Sequence, residues 1–305
     1  MKSTEAAISV TTLARRLGDP LMGASCLAAL LLGVGSLLFM PLYVLVEAYP
    51  VLGNEGGVTG FLFTRPWRPL AAPPEFGILH SWVSTLMITA ICLALALPLG
   101  YGIGLFVSEI APRFVQAILQ SSLQILAGIP SVVYGFFGYV TLLPLFESHL
   151  DMPAGESILA AAIILSIMVL PFVASTSAEA FRAVPAETKE AAFAQGVTRW
   201  HVIRRVVIPR AAPGMFAGAV LGFARAIGET LAVLMLAGNS LAVPTGVLDR
   251  GQPLTALIAT ELGEAGVGSR KFHALFAAGL ILVVITVIIN AGIWALKVKW
   301  VRPSE

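Results

Sequence analysis

Six stretches of this chain are too long and too apolar to be at home in water, and they limit what it can fold into more than any other feature. A helix needs roughly 20 mostly apolar residues to cross about 30 Å of hydrocarbon. Runs of that kind cover residues 21–48, 81–107, 115–146, 157–178, 211–238 and 272–297. A chain segment in lipid must satisfy its own backbone hydrogen bonds, so continuous apolar runs of this length read as helices. The expectation is therefore an all-α membrane protein of about six transmembrane helices. The third run is overlong and carries Pro130, so its ends are the least well marked. Composition agrees: 57% of residues are hydrophobic and only 12% charged, outside the range of soluble domains.

Charge orients the bundle, because Lys and Arg accumulate in the loops that stay on the cytoplasmic side. Lys2, Arg15, Arg16, Arg113, Arg182, Lys189, Arg199, Arg204, Arg205, Arg210, Lys297, Lys299 and Arg302 fall on one side of the expected helices. The other side holds Arg65, Arg68, Arg250, Arg270 and Lys271, and Arg225 lies inside a run. Both termini and the Arg-rich loop between the fourth and fifth runs are expected in the cytoplasm. The chain then divides into an N-terminal arm (1–20), a first helix with its outer loop (21–80), a transmembrane domain (81–298) and a short tail (299–305). The first apolar run is too long for a signal-peptide core and reads as a retained span.

Several function classes are excluded. The net charge of +2 is accounted for by topology, and no Lys/Arg run with interleaved aromatics speaks for nucleic acid. There is no Gly-x-x-x-x-Gly-Lys-Ser/Thr loop for ATP, no His-Glu-x-x-His and no Gly-x-Ser-x-Gly. Cys26 and Cys92 lie inside runs without metal-ligand spacing and read as small apolar side chains. His80, His149, His201 and His273 stand at run ends and in loops, where interfacial or solvated histidine is expected. Trp67 and Trp82, among the glycines and prolines of the first outer loop, suit an aromatic interfacial anchor, and 254–262 reads as a short helix at the outer surface.

Inside the bundle, Gly214, Gly218, Gly222 and Ala226 recur every four residues, a stripe against which another helix can lie closely. Arg225 and Glu229 are also four apart and, on one helix, would project beside that stripe. An ionisable residue at membrane depth costs about 2.5 to 3.5 kcal/mol on insertion scales, which marks both as candidate translocation-pathway residues, the alternative being a structural ion pair that fixes helix packing. Gly100-x-x-x-Gly104 with Pro98 reads as packing and a kink, as does Pro171.

In the basic loop, Glu190-Ala191-Ala192-Phe193-Ala194-Gln195-Gly196 is followed by Ile208-Pro209. Ala191, Ala192 and Ala194 give a low helix face, Gly196 permits a tight C-terminal turn, Thr198 can cap a second helix and Pro209 would end it. The result is a rigid knob suited to a groove on a soluble partner. Glu190, Ala191, Ala192, Gly196 and Pro209 are the candidate coupling residues.

This segment resembles the coupling motif of binding-protein-dependent ABC importer permeases, over about residues 82–296, with Gln-Gly where that family usually has Leu-Gly. Three further segments narrow the resemblance to phosphate permeases of the PstC type. They are Ala127-Gly128-Ile129-Pro130-Ser131-Val132-Val133-Tyr134-Gly135, Arg225-Ala226-Ile227-Gly228-Glu229-Thr230 with Gly238-Asn239, and Trp67-Arg68-Pro69 with Phe76-Gly77-Ile78-Leu79. Ser84-Thr85-Leu86 stands where that family usually has Gly-Thr-Leu. The resemblance implies the type I ABC importer permease architecture, an inner-membrane location and transport of inorganic phosphate by alternating access. It also implies a PstA-type sister permease, a PstB-type ATPase dimer that carries ATP and Mg, and a PstS-type periplasmic phosphate-binding protein. The chain itself would bind no cofactor and catalyse no reaction. A permease for sulfate or molybdate, or a structural or phosphate-sensing subunit, would share part of this pattern. An ion-coupled carrier would need no docking loop and would show internal repeats, and none is found.

Overall fold

The structure, a computed structural model, describes residues 2–53, 57–150 and 152–300. Regular structure among them is helical, apart from the isolated bridges Arg68↔Glu75 and Gly238↔Gly251. Among the described residues, six helices are long and apolar enough to cross a membrane: Met22–Leu52, Leu79–Ile110, Ser131–Leu150, Ile158–Arg182, Arg199–Ile227 and Arg270–Ala295. We label the elements α1 (Lys2–Leu52), α2 (Leu79–Leu105), α3 (Arg113–Gly128), α4 (Ser131–Leu150), α5 (Ile158–Arg182), α6 (Ala186–Phe193), α7 (Arg199–Ile227), α8 (Leu231–Leu236), α9 (Leu254–Glu261) and α10 (Arg270–Trp300). The N-terminal arm continues into α1 as one helix, and residues 301–305 of the expected tail lie outside the described residues.

Two of the expected spans are corrected. The third run is not one helix, because it breaks into α3 and α4 at Ile129 and Pro130. Proline disfavours helical backbone at the residue before it. Ile129 is accordingly extended (φ −70°, ψ 129°), and α4 starts afresh at Ser131. The fifth run is likewise interrupted: α7 begins earlier, at Arg199, ends at Ile227, and gives way to the six-residue α8 after Gly228, Glu229 and Thr230.

The bundle is built around α5. Two thirds of its most apolar window is buried, against 28% for the other interior spans and none for α1, so α5 is the axis on which its neighbours lean. Small residues let them approach. A Cβ at Gly100 of α2 would sit 2.7 Å from Val173 Cγ1, and one at Gly222 of α7 would sit 2.8 Å from Val173 Cγ2. The Gly214-Gly218-Gly222 stripe and the Gly100/Gly104 pair therefore clasp the same face-bearing helix from two sides, which suits a membrane, where close packing rather than water expulsion drives association.

A second core joins α1, α10, α9 and the loop after α1. Phe61, Trp67, Phe76 and Ile78 pack there with Leu254, Leu257, Ala274, Leu275 and Ala278. Three expectations fail here. Trp67 is not an interfacial anchor but a core ring, edge-on to Phe76 at 5.4 Å. Trp82 is half-buried and donates from Nε1 to the Leu62 carbonyl at 3.0 Å. Helix α9 is not laid on the surface, since Leu254, Ala256 and Leu257 are fully buried. His80 is also buried, 2.9 Å from Ser81 Oγ and 3.4 Å from Gln252 Oε1, and His273 lies 3.1 Å from Glu47 Oε2, whereas His149 and His201 are exposed as expected. Cys92 is buried as expected, but Cys26 faces outward from α1. Ser84 keeps the close approach that its small size allows: Gly251 would carry a Cβ only 2.6 Å from Ser84 Oγ.

Candidate functional site: the coupling loop and the broken helix

Between α5 and α7 the chain makes the two-helix knob that its residues call for. Pro185 precedes α6 in extended backbone, and α6 closes with Ala194 N–H donating to Glu190 O and Gly196 N–H to Phe193 O. Gly196 takes φ +73°, the left-handed conformation that a side chain disfavours. Thr198 Oγ1 then accepts from His201 N at 3.4 Å and caps the start of α7.

Glu190, Ala191 and Gly196 are exposed and Ala192 is half-buried. Phe193 and Trp200 are exposed beside them, at 44% and 61%, an aromatic surface on an otherwise charged loop. Beneath the knob, Phe181, Val184, Val202, Val207 and Ala211 form a small core that Ala192 and Val197 cover.

Pro209 does not end the second helix. α7 runs through it, and the preceding turn widens into a π-helix over Ile203–Val207, with Ile208 N–H donating to Ile203 O. Proline has no N–H and its ring crowds the carbonyl four residues back, and the wider turn absorbs both effects.

The sequence reading missed how the knob is fastened to the bundle. Lys189 Nζ lies 2.6 Å from Glu109 Oε1, and Arg199 Nη2 donates to the Glu109 backbone carbonyl. Glu109 sits in the π-helical turn Phe106–Ile110 that ends α2, 80 residues from Lys189 in the chain. Its one signal in the sequence is that it is an acidic residue facing the basic loops.

Arg225 and Glu229 are not an i,i+4 pair. α7 stops at Ile227, so Glu229 leaves the helical register before it can share a face with Arg225. Arg225 is exposed, its Cζ 5.4 Å from the centre of the Phe172 ring, a cation–π contact. Glu229 is buried, its Oε1 accepting from Ala232 N at 3.4 Å as a cap on α8, and Thr255 Oγ1 donates to its backbone carbonyl at 2.8 Å. Sequence spacing assumed an unbroken helix, and tertiary packing decided otherwise. Gly135 of α4 lies against Ala232, where a Cβ would come within 2.9 Å of Ala232 Cα, so α4 holds α8 at the break. The segments around Tyr134 and Glu229, far apart in the chain, thus meet in one place, and Tyr134 OH ties α4 to α3 by donating to Leu126 O at 2.9 Å.

Residues 96–296 match the model of the binding-protein-dependent transport system inner membrane component family. The chain belongs to that family. As a member it is a multi-pass membrane protein and a permease subunit, and the coupling loop and the broken helix both lie within the matched region. It is 38% identical over 226 residues to the probable ABC transporter permease protein YqgH of Bacillus subtilis, covering 74% of this chain and 73% of that protein. It is 33% identical to the phosphate transport system permease protein PstC of Haemophilus influenzae (81% and 82% covered) and 36% identical to that of Mesorhizobium japonicum (76% of each). Among solved structures, a bacterial ABC transporter involved in import of the acidic polysaccharide alginate aligns over 93% of this chain and 99% of its own, with TM-score 0.62 and 16% identity. The inward-facing MetNI methionine ABC transporter aligns over 72% and 94%, with TM-score 0.58 and 18% identity. At those identities the structures speak for the type I importer permease fold and not for cargo.

Proposed function

We propose that this permease moves inorganic phosphate inward across the cytoplasmic membrane, driven by ATP hydrolysis on a separate ATPase dimer that holds ATP and Mg. The observation that carries the cargo is the family of relatives: proteins named as phosphate transport permeases are 33% and 36% identical over at least three quarters of this chain. The segments singled out around Tyr134 and Glu229 pack together at one break, which supports a shared role for them. In this reading both termini and the coupling loop are cytoplasmic, as the Lys/Arg bias suggests. A sister permease completes the pore, and a phosphate-binding protein delivers cargo at the opposite end.

Each candidate residue then has a physical task. Glu190, Ala191, Ala192 and Gly196 present the knob to the ATPase. Pro209 stiffens the root of α7 as it leaves the knob. Arg225, unpaired by Glu229 and steadied over Phe172, offers a guanidinium whose planar donors match an oxyanion. Glu229, at the break, is assigned to the same path, its carboxylate keeping the positive field from trapping the anion.

The test is copurification with the two other subunits, followed by ATP hydrolysis in lipid with the binding protein added. Stimulation by phosphate is the expected result. Stimulation by sulfate or molybdate in its place overturns the cargo, and absence of an ATPase in the purified complex overturns the mechanism.

A further inference from the structure

Glu109 is the point at which the coupling loop is tied to a helix it is not covalently joined to. The loop is continuous in sequence with α5 and α7 only. Through Glu109 it also holds α2: Lys189 reaches the carboxylate from α6, and Arg199 reaches the backbone carbonyl from the start of α7. Both helices of the knob therefore converge on one residue.

The local geometry favours a firm tie. The π-helical turn Phe106–Ile110 at the end of α2 puts Glu109 in a different register from an uninterrupted α-helix. The carboxylate is only 11% exposed and the ammonium 21%, so water competes weakly for either. Charge-assisted contacts of this length are among the stronger hydrogen bonds in proteins. Near the same end, Gly100 and Gly104 seat α2 against Val173, Ala174 and Ser177 of α5, so the tie acts on a closely packed part of the helix.

We infer that the Glu109–Lys189 bridge is a positioning contact that makes α2 move with the coupling loop, so that ATPase motion is passed directly from the knob to three spans instead of two. This inference rests on the reading of the chain as an importer permease. Without the bridge, a displacement of the knob still reaches α2 through Arg199 on the Glu109 carbonyl, through Tyr101 OH donating to Met215 O of α7 and through packing on α5, but it loses the one charge-paired tie between α2 and α6.

The experiment uses the whole complex in lipid and reads one ratio, ATP hydrolysis with phosphate-loaded binding protein over hydrolysis without it. Glu109→Gln keeps the size and removes the charge. It should retain its subunits and its basal hydrolysis while the ratio falls roughly fivefold, the reach of a single coupled contact. Lys189→Arg keeps the bridge and should keep the ratio. The Glu109→Gln, Lys189→Gln double variant should be no worse than the lower of its two single variants. If Glu109→Gln lowers the yield of complex, the Lys189 variants carry the same comparison. A wild-type ratio in Glu109→Gln overturns the inference, and so does an equal fall of both rates, which is the mark of a merely structural contact. If the wild-type complex itself is not stimulated, the functional reading fails first, and the inference falls with it.

Discussion

The coupling loop and the break between α7 and α8 are both short interruptions in long helices, yet they are specified in different ways. In the loop, each turn is decided by a residue at the turn: Pro185 before α6, Gly196 in left-handed backbone, Thr198 as cap. At the break, Gly228 is at φ −90°, ψ −3°, a conformation that any residue adopts, and no proline intervenes. What stops α7 there is supplied from outside it, by α4 packed on α8 through Gly135 and by α9 reaching the Glu229 carbonyl through Thr255. A local device survives changes elsewhere in the bundle, whereas a tertiary device fails when its neighbours move.

The largest expected effect is at the break. Gly135→Leu should force α4 off α8 against a backbone atom 2.9 Å from the new Cβ, an overpacking cost of about 1 to 3 kcal/mol or more. Thermal unfolding in detergent should show a clear fall in Tm with uptake abolished, and an unchanged Tm would mean that α8 is not held by α4.

Next comes Arg225→Met, which keeps the bulk of the side chain and removes the guanidinium. Because Arg225 has no ion pair with Glu229, this change leaves no buried carboxylate stranded, and the assembled complex should persist. Phosphate uptake should fall by about two orders of magnitude, as when a charge-assisted contact worth about 1.5 to 3 kcal/mol is lost from the path. Arg225→Lys, which retains charge without the planar fork, should show a partial defect. Normal radiolabelled phosphate uptake by Arg225→Met would remove the residue from the path.

In the loop, Gly196→Val should cost about 1 to 2 kcal/mol from backbone conformation alone. Space is not the issue, since a Cβ at Gly196 meets nothing within 4 Å. Gly196→Asp, a residue that tolerates left-handed backbone better, then isolates the effect of charge on the docking surface. Both variants should insert normally and retain less ATPase in a pull-down, and full retention by both would detach the knob from docking. Thr198→Ala should be milder, about 1 kcal/mol for the lost cap, seen as faster hydrogen exchange at His201 N.

The smallest effect lies downstream of the break. The Asp249 carboxylate is held below its usual range chiefly by the backbone N–H of Thr245, then by those of Gly246 and the Thr245 hydroxyl, at 2.8 to 2.9 Å. A depressed carboxylate stabilises the folded loop above its unfolded pKa, near 3.8, and that contribution is lost as pH falls through the lower folded value. Amide exchange at Thr245 and Gly246, corrected for its intrinsic pH dependence, should therefore lose protection on acidification below about pH 4. Asp249→Asn should be less protected throughout and should lack that step.

Residue pattern alone set the all-helical class, the six apolar runs, the knob with its glycine turn and threonine cap, and the small-residue faces, because each depends on neighbours a few positions apart. It failed where partners are remote. Trp67 and α9 carry apolar surface that suits a membrane interface as well as a core, and only the second cluster with α10 decides between them. Pro209 reads as a helix end until the π turn before it is seen to absorb the missing N–H. Arg225 and Glu229 keep a spacing of four in sequence whether or not the helix between them is whole, and Glu109 has nothing near it in the chain to announce Lys189, 80 residues on. Periodicity reports which face a residue shares with its own helix, and the packing of separate helices determines whether that helix continues and what stands opposite.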